Sequence, residues 1–316
     1  MCTAVSFRCR RHYFGRNLDV GGCYGEAVII TPRHYPLELR YEKSIDTHYA
    51  MIGMGIVVDN YPLYYDGANE KGLSIAGLNF PGNAYYFPKK EGKKNIAPFE
   101  LIPYLLARCE NVREAEQALL EINLVNCRFR KDIPLTPLHW IISDKNYSIV
   151  YECTKEGSHM YRNHFDVLTN NPPFPYHREN IHRYMGLHEG LEENRLSKDL
   201  ELKNTSIGFG ALGLPGDFSS ASRFVKALYV KEKSKNITLE QGAVEQFFHI
   251  LSSVAMPKGC ILMENDQYEY TRYTNCYETD TGDLYYQTYH DPKIKKVSLR
   301  NKDLNHHKLV RIPIDN

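Results

Sequence analysis

The chain has 316 residues, with 39 Lys plus Arg against 38 Asp plus Glu and a 42% hydrophobic content. That content is enough for a full core, and the near-zero net charge leaves no broad basic footprint for nucleic acid. No stretch approaches the roughly 18–20 apolar residues of a membrane span, and no basic segment followed by an apolar one opens the chain. The expectation is a cytoplasmic protein with neither a membrane nor a nucleic-acid partner. The eight cysteines are widely spaced and form no CxxC, so they read as reduced thiols, and the thirteen histidines lack metal-ligand spacing. No structural metal and no cofactor are expected.

The chain begins Met1-Cys2. If Met1 is removed, one residue carries both a thiol nucleophile and a free α-amine, whose ordinary pKa of about 7.7–8.0 suits a general base. Thr3–Phe7 alternates like a strand, and a turn around Arg11-His12-Tyr13 returns the chain through Phe14-Gly15-Arg16-Asn17-Leu18-Asp19. That hairpin would bring Arg16 beside the thiol, where its charge favours the thiolate, and Asp19 within reach of the α-amine. Gly15 would allow a tight turn. A surface Arg16–Asp19 pair is the competing reading of the same spacing.

Glu26–Thr31 and Tyr49–Asp59 read as strands, and Asp66–Gly72 as a turn. Leu73–Phe80 alternates and ends in Asn79 before Pro81-Gly82. A polar residue at a strand end is aimed by a rigid element, or else is a turn-forming Asn before a break. Pro98–Cys109 has helical spacing that Pro103 would kink or shorten. Asn111 caps a second helix with an apolar stripe of Val112, Ala115, Leu119 and Ile122.

Leu138–Ser143 and Ser148–Cys153 form a hairpin, and a further run ends in Thr169-Asn170-Asn171-Pro172. The polar stretch 176–204 reads as an excursion that contacts another subunit. Gly208–Asp217 is too glycine-rich for regular structure and lacks the Gly-Lys-Ser/Thr of a phosphate loop. Ser219–Phe224 starts a helix in whose first turn Arg223 opposes the helix dipole, as a functional or merely solvated charge. A capping box at Thr238-Leu239-Glu240-Gln241 opens a last helix, and Tyr268–Glu278 with Leu284–Tyr289 forms a final hairpin. Strands, two helices, strands, two helices and strands lack regular β-α alternation. They fit an α+β single domain over 1–316, with two stacked antiparallel sheets between helices in four αββα layers.

Met-Cys-Thr, Phe-Gly-Arg-Asn-Leu-Asp at 14–19, Asp-Gly-Ala-Asn-Glu-Lys-Gly-Leu at 66–73 and Gly-Leu-Asn-Phe-Pro at 77–81 resemble the choloylglycine hydrolase family. So do Leu-His-Trp at 138–140, Leu-Thr-Asn at 168–170, Gly-Leu-Pro-Gly-Asp-Phe at 213–218 and Ala-Ser-Arg-Phe at 221–224. The family comprises bile salt hydrolases and penicillin V acylases. The resemblance implies an N-terminal nucleophile hydrolase in which Cys2 attacks the amide of a glycine- or taurine-conjugated bile acid and forms a thioester. It further implies that Arg16 and Arg223 flank the thiol, Asp19 orients the α-amine, and Asn79 and Asn170 hold the oxyanion. Asn79 resembles the bile salt branch, where a tyrosine would point to penicillin V acylases. Gly208-Phe209-Gly210 resembles glycine-preferring members. A homotetramer is implied, and some members pass the acyl group to an amine. The alternative from another class is a silent protein that only binds bile acids.

Overall fold

The computed structural model describes residues 1–235 and 242–314. The chain opens with the hairpin β1 (Cys2–Cys9) and β2 (Arg11–Val20), then β3 (Ala27–Thr31), β4 (Met51–Val58), β5 (Tyr61–Asn69) and β6 (Ser74–Asn79). The short β7 (Lys94–Ile96) precedes α1 (Leu101–Arg108), α2 (Val112–Glu121) and β8 (Ile122–Leu124), which runs parallel to β7. Next come β9 (Leu138–Ser143), β10 (Ser148–Thr154), β11 (Gly157–Arg162), β12 (Val167–Leu168), α3 (Phe174–Asn180), α4 (Ser220–Ser234) and α5 (Ala243–Ser252). The chain closes with β13 (Ile261–Leu262), β14 (Tyr268–Glu278), β15 (Asp283–Thr288), β16 (Lys295–Ser298) and β17 (Val310–Pro313).

Two antiparallel sheets result. The first runs β12-β1-β2-β14-β15-β16 with β13 beside β14; the second runs β11-β10-β9-β6-β5-β4-β3-β17. Period-2 alternation divides each strand between two layers. In β3, Val28 and Ile30 pack inward with Ala4 and Ile52, whereas Ile29 packs outward with Leu105 and Leu106 of α1. On the other side Phe224 and Ala227 of α4 and Phe247 and Leu251 of α5 cover the first sheet. The layers are therefore α4/α5, sheet, sheet, α1/α2, as the element order implied. Each fully buried Leu, Ile or Phe contributes about 1.5–3 kcal/mol, which lets the sandwich carry polar residues in its interior.

The local expectations are met in outline and corrected in detail. The first hairpin turns at Arg10, which has φ 51°, so Arg11-His12-Tyr13 already lie in β2. Gly15 is not a turn residue. It sits in β2, where a Cβ would stand 2.0 Å from the Asn275 carbonyl oxygen of β14, so it is the close approach of two backbones that requires glycine. Asp66–Asn69 continue β5 instead of turning; the reversal is confined to Glu70-Lys71-Gly72, with Gly72 at φ +96°. The helix expected over Pro98–Cys109 is shortened: Pro98–Glu100 is a 3-10 turn and α1 holds Leu101–Arg108, with Pro103 in its first turn, where its missing N–H has no intrahelical partner to lose. Asn111 caps α2 by accepting from Glu114 N at 3.0 Å. Glu114 returns its carboxylate to Glu110 N at 2.8 Å and to the Asn111 side-chain amide at 3.0 Å. The polar stretch 176–204 begins inside α3 and then has no strand or α-helix. The capping box at Thr238–Gln241 lies outside the described residues.

Candidate active site

Cys2 is the first residue of β1 and stands opposite Leu18 of β2. Side chains two apart on a strand share a face, so Arg16 and Asp19, three apart, leave β2 on opposite faces. Both are 1% exposed, as is Arg223. None is the surface charge that spacing alone allowed.

Arg16 points between the sheets. Its Nη1 donates to the carbonyls of Gly77 at 2.5 Å and Tyr65 at 3.2 Å, and its Nε lies 4.0 Å from Asp66 Oδ2. Asp66 in turn accepts from Tyr273 Oη at 2.6 Å, Asn275 Nδ2 at 2.5 Å and Tyr277 Oη at 2.5 Å. Burial pushes the Asp66 carboxyl up and the Arg16 guanidinium opposes that shift. For Arg16 itself, burial disfavours the charge, but Cys2, Tyr273, Asp66 and Asp19 outweigh it and raise its proton affinity.

Asp19 points toward α4 and α5. Its Oδ1 accepts from Thr271 Oγ1 at 2.6 Å, while its buried Oδ2 has no hydrogen-bond partner. Burial pushes its carboxyl up, against Arg223, the chain's α-amine and Thr271. Met1 extends the β1–β2 pairing: Asp19 N donates to Met1 O at 3.1 Å, and the Met1 α-amine donates to Asp19 O at 3.1 Å and pairs with Glu269. Burial lowers that amine's pKa.

Arg223 is the fourth residue of α4 and turns back over the chain start. Nη1 donates to Cys2 O at 2.5 Å and Thr3 Oγ1 at 2.7 Å, Nη2 to Asn170 Oδ1 at 2.7 Å, and Nε to Phe218 O at 2.9 Å. Burial lowers its pKa, opposed by Asp19 and Cys2.

Asn170 follows β12, the edge strand paired with β1. Its backbone N donates to Ser220 Oγ at 2.8 Å. Its side-chain Oδ1 accepts from Cys2 N at 2.8 Å, and its Nδ2 donates to the backbone carbonyl of Asn79 at 2.7 Å. Asn79 is half-buried at the end of β6, with its backbone tied to Asn170. All six sequence candidates, Cys2, Arg16, Asp19, Asn79, Asn170 and Arg223, therefore gather at one end of the sandwich.

Sequence reasoning missed the supports of this cluster. Thr271, Tyr273, Asn275 and Tyr277 belong to β14, which lies beside β2 although it follows it by about 250 residues of sequence. No local pattern announces that pairing. Asp66 stood inside a motif that matched, but its turn-like neighbours disguised it as a loop residue. Among the described residues no group of three or more His, Cys, Asp or Glu is placed to hold a metal, and no helix is long and apolar enough to cross a membrane.

A thiol, a carboxylate with an open oxygen beside the chain start, two guanidinium groups and two amides form a set suited to acyl transfer through a thioester. The family model for linear amide C–N hydrolases of the choloylglycine hydrolase family matches residues 2–312. This chain belongs to the choloylglycine hydrolase family. A bile salt hydrolase/transferase of Lactiplantibacillus plantarum is 47% identical over 99% of this chain and 97% of that protein. A solved variant of the conjugated bile acid hydrolase from Clostridium perfringens superposes with a TM-score of 0.93 at 35% identity, covering 99% of this chain and 97% of that one. The penicillin V acylase of Agrobacterium tumefaciens shares the fold, with a TM-score of 0.77 at 16% identity, covering 98% and 90% of the two chains. This choloylglycine hydrolase family member thus has the expected N-terminal nucleophile fold, and its amide-hydrolase class follows from the family.

Proposed function

We propose that the chain, working as one unit, is a bile salt hydrolase that cleaves glycine- or taurine-conjugated bile acids through Cys2. The observation that carries this reading is the open Oδ2 of Asp19, a buried acceptor without a donor beside the chain start. An unpaired buried acceptor costs about 1–3 kcal/mol. Removal of Met1 turns the Cys2 amide nitrogen into an α-amine, whose two N–H groups serve Asp19 and Asn170 and whose neutral form keeps a lone pair for the thiol proton.

In this reading the amine accepts the thiol proton as sulfur attacks the amide carbon. The carbonyl electron pair moves onto oxygen, where Asn79 and Asn170 hold it. The C–N bond then breaks, the leaving amine takes the proton, and a cholyl thioester remains. Water adds to the thioester and gives its proton to the α-amine; the thiolate leaves and is reprotonated. Arg16 and Arg223 hold positive charge on either side of the reacting sulfur throughout. No cofactor is used.

A preference for glycine conjugates rests on the Gly208-Phe209-Gly210 triplet. The fold itself uses both glycines: Gly208 has φ +88°, and a Cβ on Gly210 would meet His188 O at 2.6 Å. The apolar side chains of Met185, Leu191, Leu196, Leu200 and Leu202, all exposed on the excursion, support a homotetramer built through that region. A cytoplasmic location completes the reading.

The test is release of free glycine and taurine from glycocholate and taurocholate, with penicillin V as a third substrate and Cys2→Ala alongside. Release from a bile salt that vanishes in Cys2→Ala supports the proposal, and the glycine-to-taurine ratio tests the preference. Cleavage of penicillin V alone moves the protein to the acylase branch. Bile-salt binding without release leaves a binding protein.

A further inference from the structure

The motif Leu138-His139-Trp140 carries a histidine to which the reaction gives no role. His139 lies on β9 with no solvent exposure, its ring stacked on Phe80 at 4.2 Å and 4°. Its Nε2 is 3.0 Å from the carbonyl of Thr169, and its Nδ1 is 3.0 Å from Glu152 Oε1 of β10. Oε1 also accepts from the backbone N–H of Phe174 at 2.9 Å, and Oε2 has no partner.

The protons can be counted. A carbonyl only accepts, so Nε2 carries a hydrogen toward Thr169. The contact between Nδ1 and Oε1 joins a ring nitrogen to a carboxylate oxygen, and it needs a proton of its own. Two side-chain protons are therefore held, either as imidazolium with carboxylate or as neutral imidazole with carboxylic acid. Both forms make the same hydrogen bonds, and loss of the second proton breaks one.

We propose that His139 and Glu152 are positioning residues that share this second proton and clamp the loop 169–174 at both ends, thereby fixing Asn170. His139 ties down the residue before Asn170, and Glu152 ties down Phe174 at the start of α3. A third tie comes from His177 Nε2, 3.0 Å from the carbonyl of Asn170 itself. The titratable groups facing the pair are His177 from α3, held neutral because burial lowers it to about 4, and Tyr161 from β11, raised by burial and by Glu152. Among the described residues no lysine or arginine forms an ion pair with Glu152; its ion-pair partner is His139. The clamp's effect on turnover rests on the reading of Asn170 as an oxyanion donor.

Two variants separate the possibilities. Glu152→Gln places a single atom, oxygen or NH2, where Oε1 meets both His139 Nδ1 and the Phe174 N–H, so it keeps one of those two bonds and loses the other. His139→Phe keeps the stack on Phe80 but frees Thr169 and leaves Glu152 buried alone. Amide exchange across 169–174 is expected to rise at least tenfold in His139→Phe and by a smaller factor in Glu152→Gln. On glycocholate, kcat is expected to fall at least tenfold in His139→Phe with KM within threefold. Glu152→Gln, which breaks one of the ties, is expected to lower kcat by a smaller factor than His139→Phe. Wild-type exchange in a folded His139→Phe, or in a folded Glu152→Gln, overturns the clamp. If exchange rises as expected while kcat on glycocholate holds, the clamp stands and the role of Asn170 fails. If the wild type releases nothing from any bile salt, the proposed function fails, while the exchange measurement still decides the clamp.

Discussion

The two ends of the β1–β2 hairpin hold similar residues in opposite states. At the turn end, His12 Nε2 lies 3.0 Å from Ser6 Oγ and 3.2 Å from Ser143 Oγ, and its Nδ1 lies 3.0 Å from Thr279 Oγ1. Arg8 adds contacts to Ser143 at 2.9 Å and Asp166 at 2.7 Å, and Ser148 donates to Asp166 at 2.6 Å. Serine, histidine and aspartate make that cluster look like hydrolase machinery by composition. Yet each of these groups has a partner, which makes the network an adhesive between the two sheets. At the chain-start end Asp19 keeps an open oxygen beside Met1. A saturated polar network fixes a fold, whereas a site has to keep some bonding capacity in reserve for the reacting atoms.

The strongest way to break this contrast is Cys2→Ala. Bile-salt turnover is expected to fall to background, while unfolding free energy stays within about 1 kcal/mol; residual turnover would move the nucleophile elsewhere. Asn170→Ala should follow, with a loss of about 10²–10³ in kcat for one oxyanion donor. An unchanged kcat would remove Asn170 from that role.

At the other end His12→Ala should do the reverse. It leaves a cavity and takes one partner from each of three hydroxyls, for a stability loss of about 3–4 kcal/mol, with kcat/KM on glycocholate within threefold of wild type. A variant of normal stability and impaired turnover would mean that the turn end takes part in the chemistry.

The smallest effect concerns pH. Burial lowers His177 to about 4, below its ordinary value of about 6.5. A depressed folded pKa gives stability that is complete above the unfolded value and lost as pH falls toward the folded one. Between pH 6.5 and 4 the wild type should therefore lose up to about 3 kcal/mol through this residue. His177→Gln, which keeps a donor for the Asn170 carbonyl, should lose less over the same range. Denaturant titrations at three pH values measure this, and parallel curves for the two proteins would contradict the assignment.

The sequence by itself determined the coarse order of strand and helix groups, the αββα layering and the six candidates of the site. Those follow from short-range physics: period-2 and period-3.6 patterns, caps such as Asn111, and motifs whose residues lie close in the chain. Tertiary structure alone decided which face each residue took and what it met there. The role of Gly15 came from the backbone of β14, and Asp66 became the buried counter-charge of Arg16 because β5 runs on to Asn69. Arg223, a charge opposing a helix dipole when read locally, is the donor that ties α4 to Cys2 and Asn170. Pairings across some 50 to 250 residues depend on how the sheets order their strands, and a chain read in one dimension carries no local mark of that order.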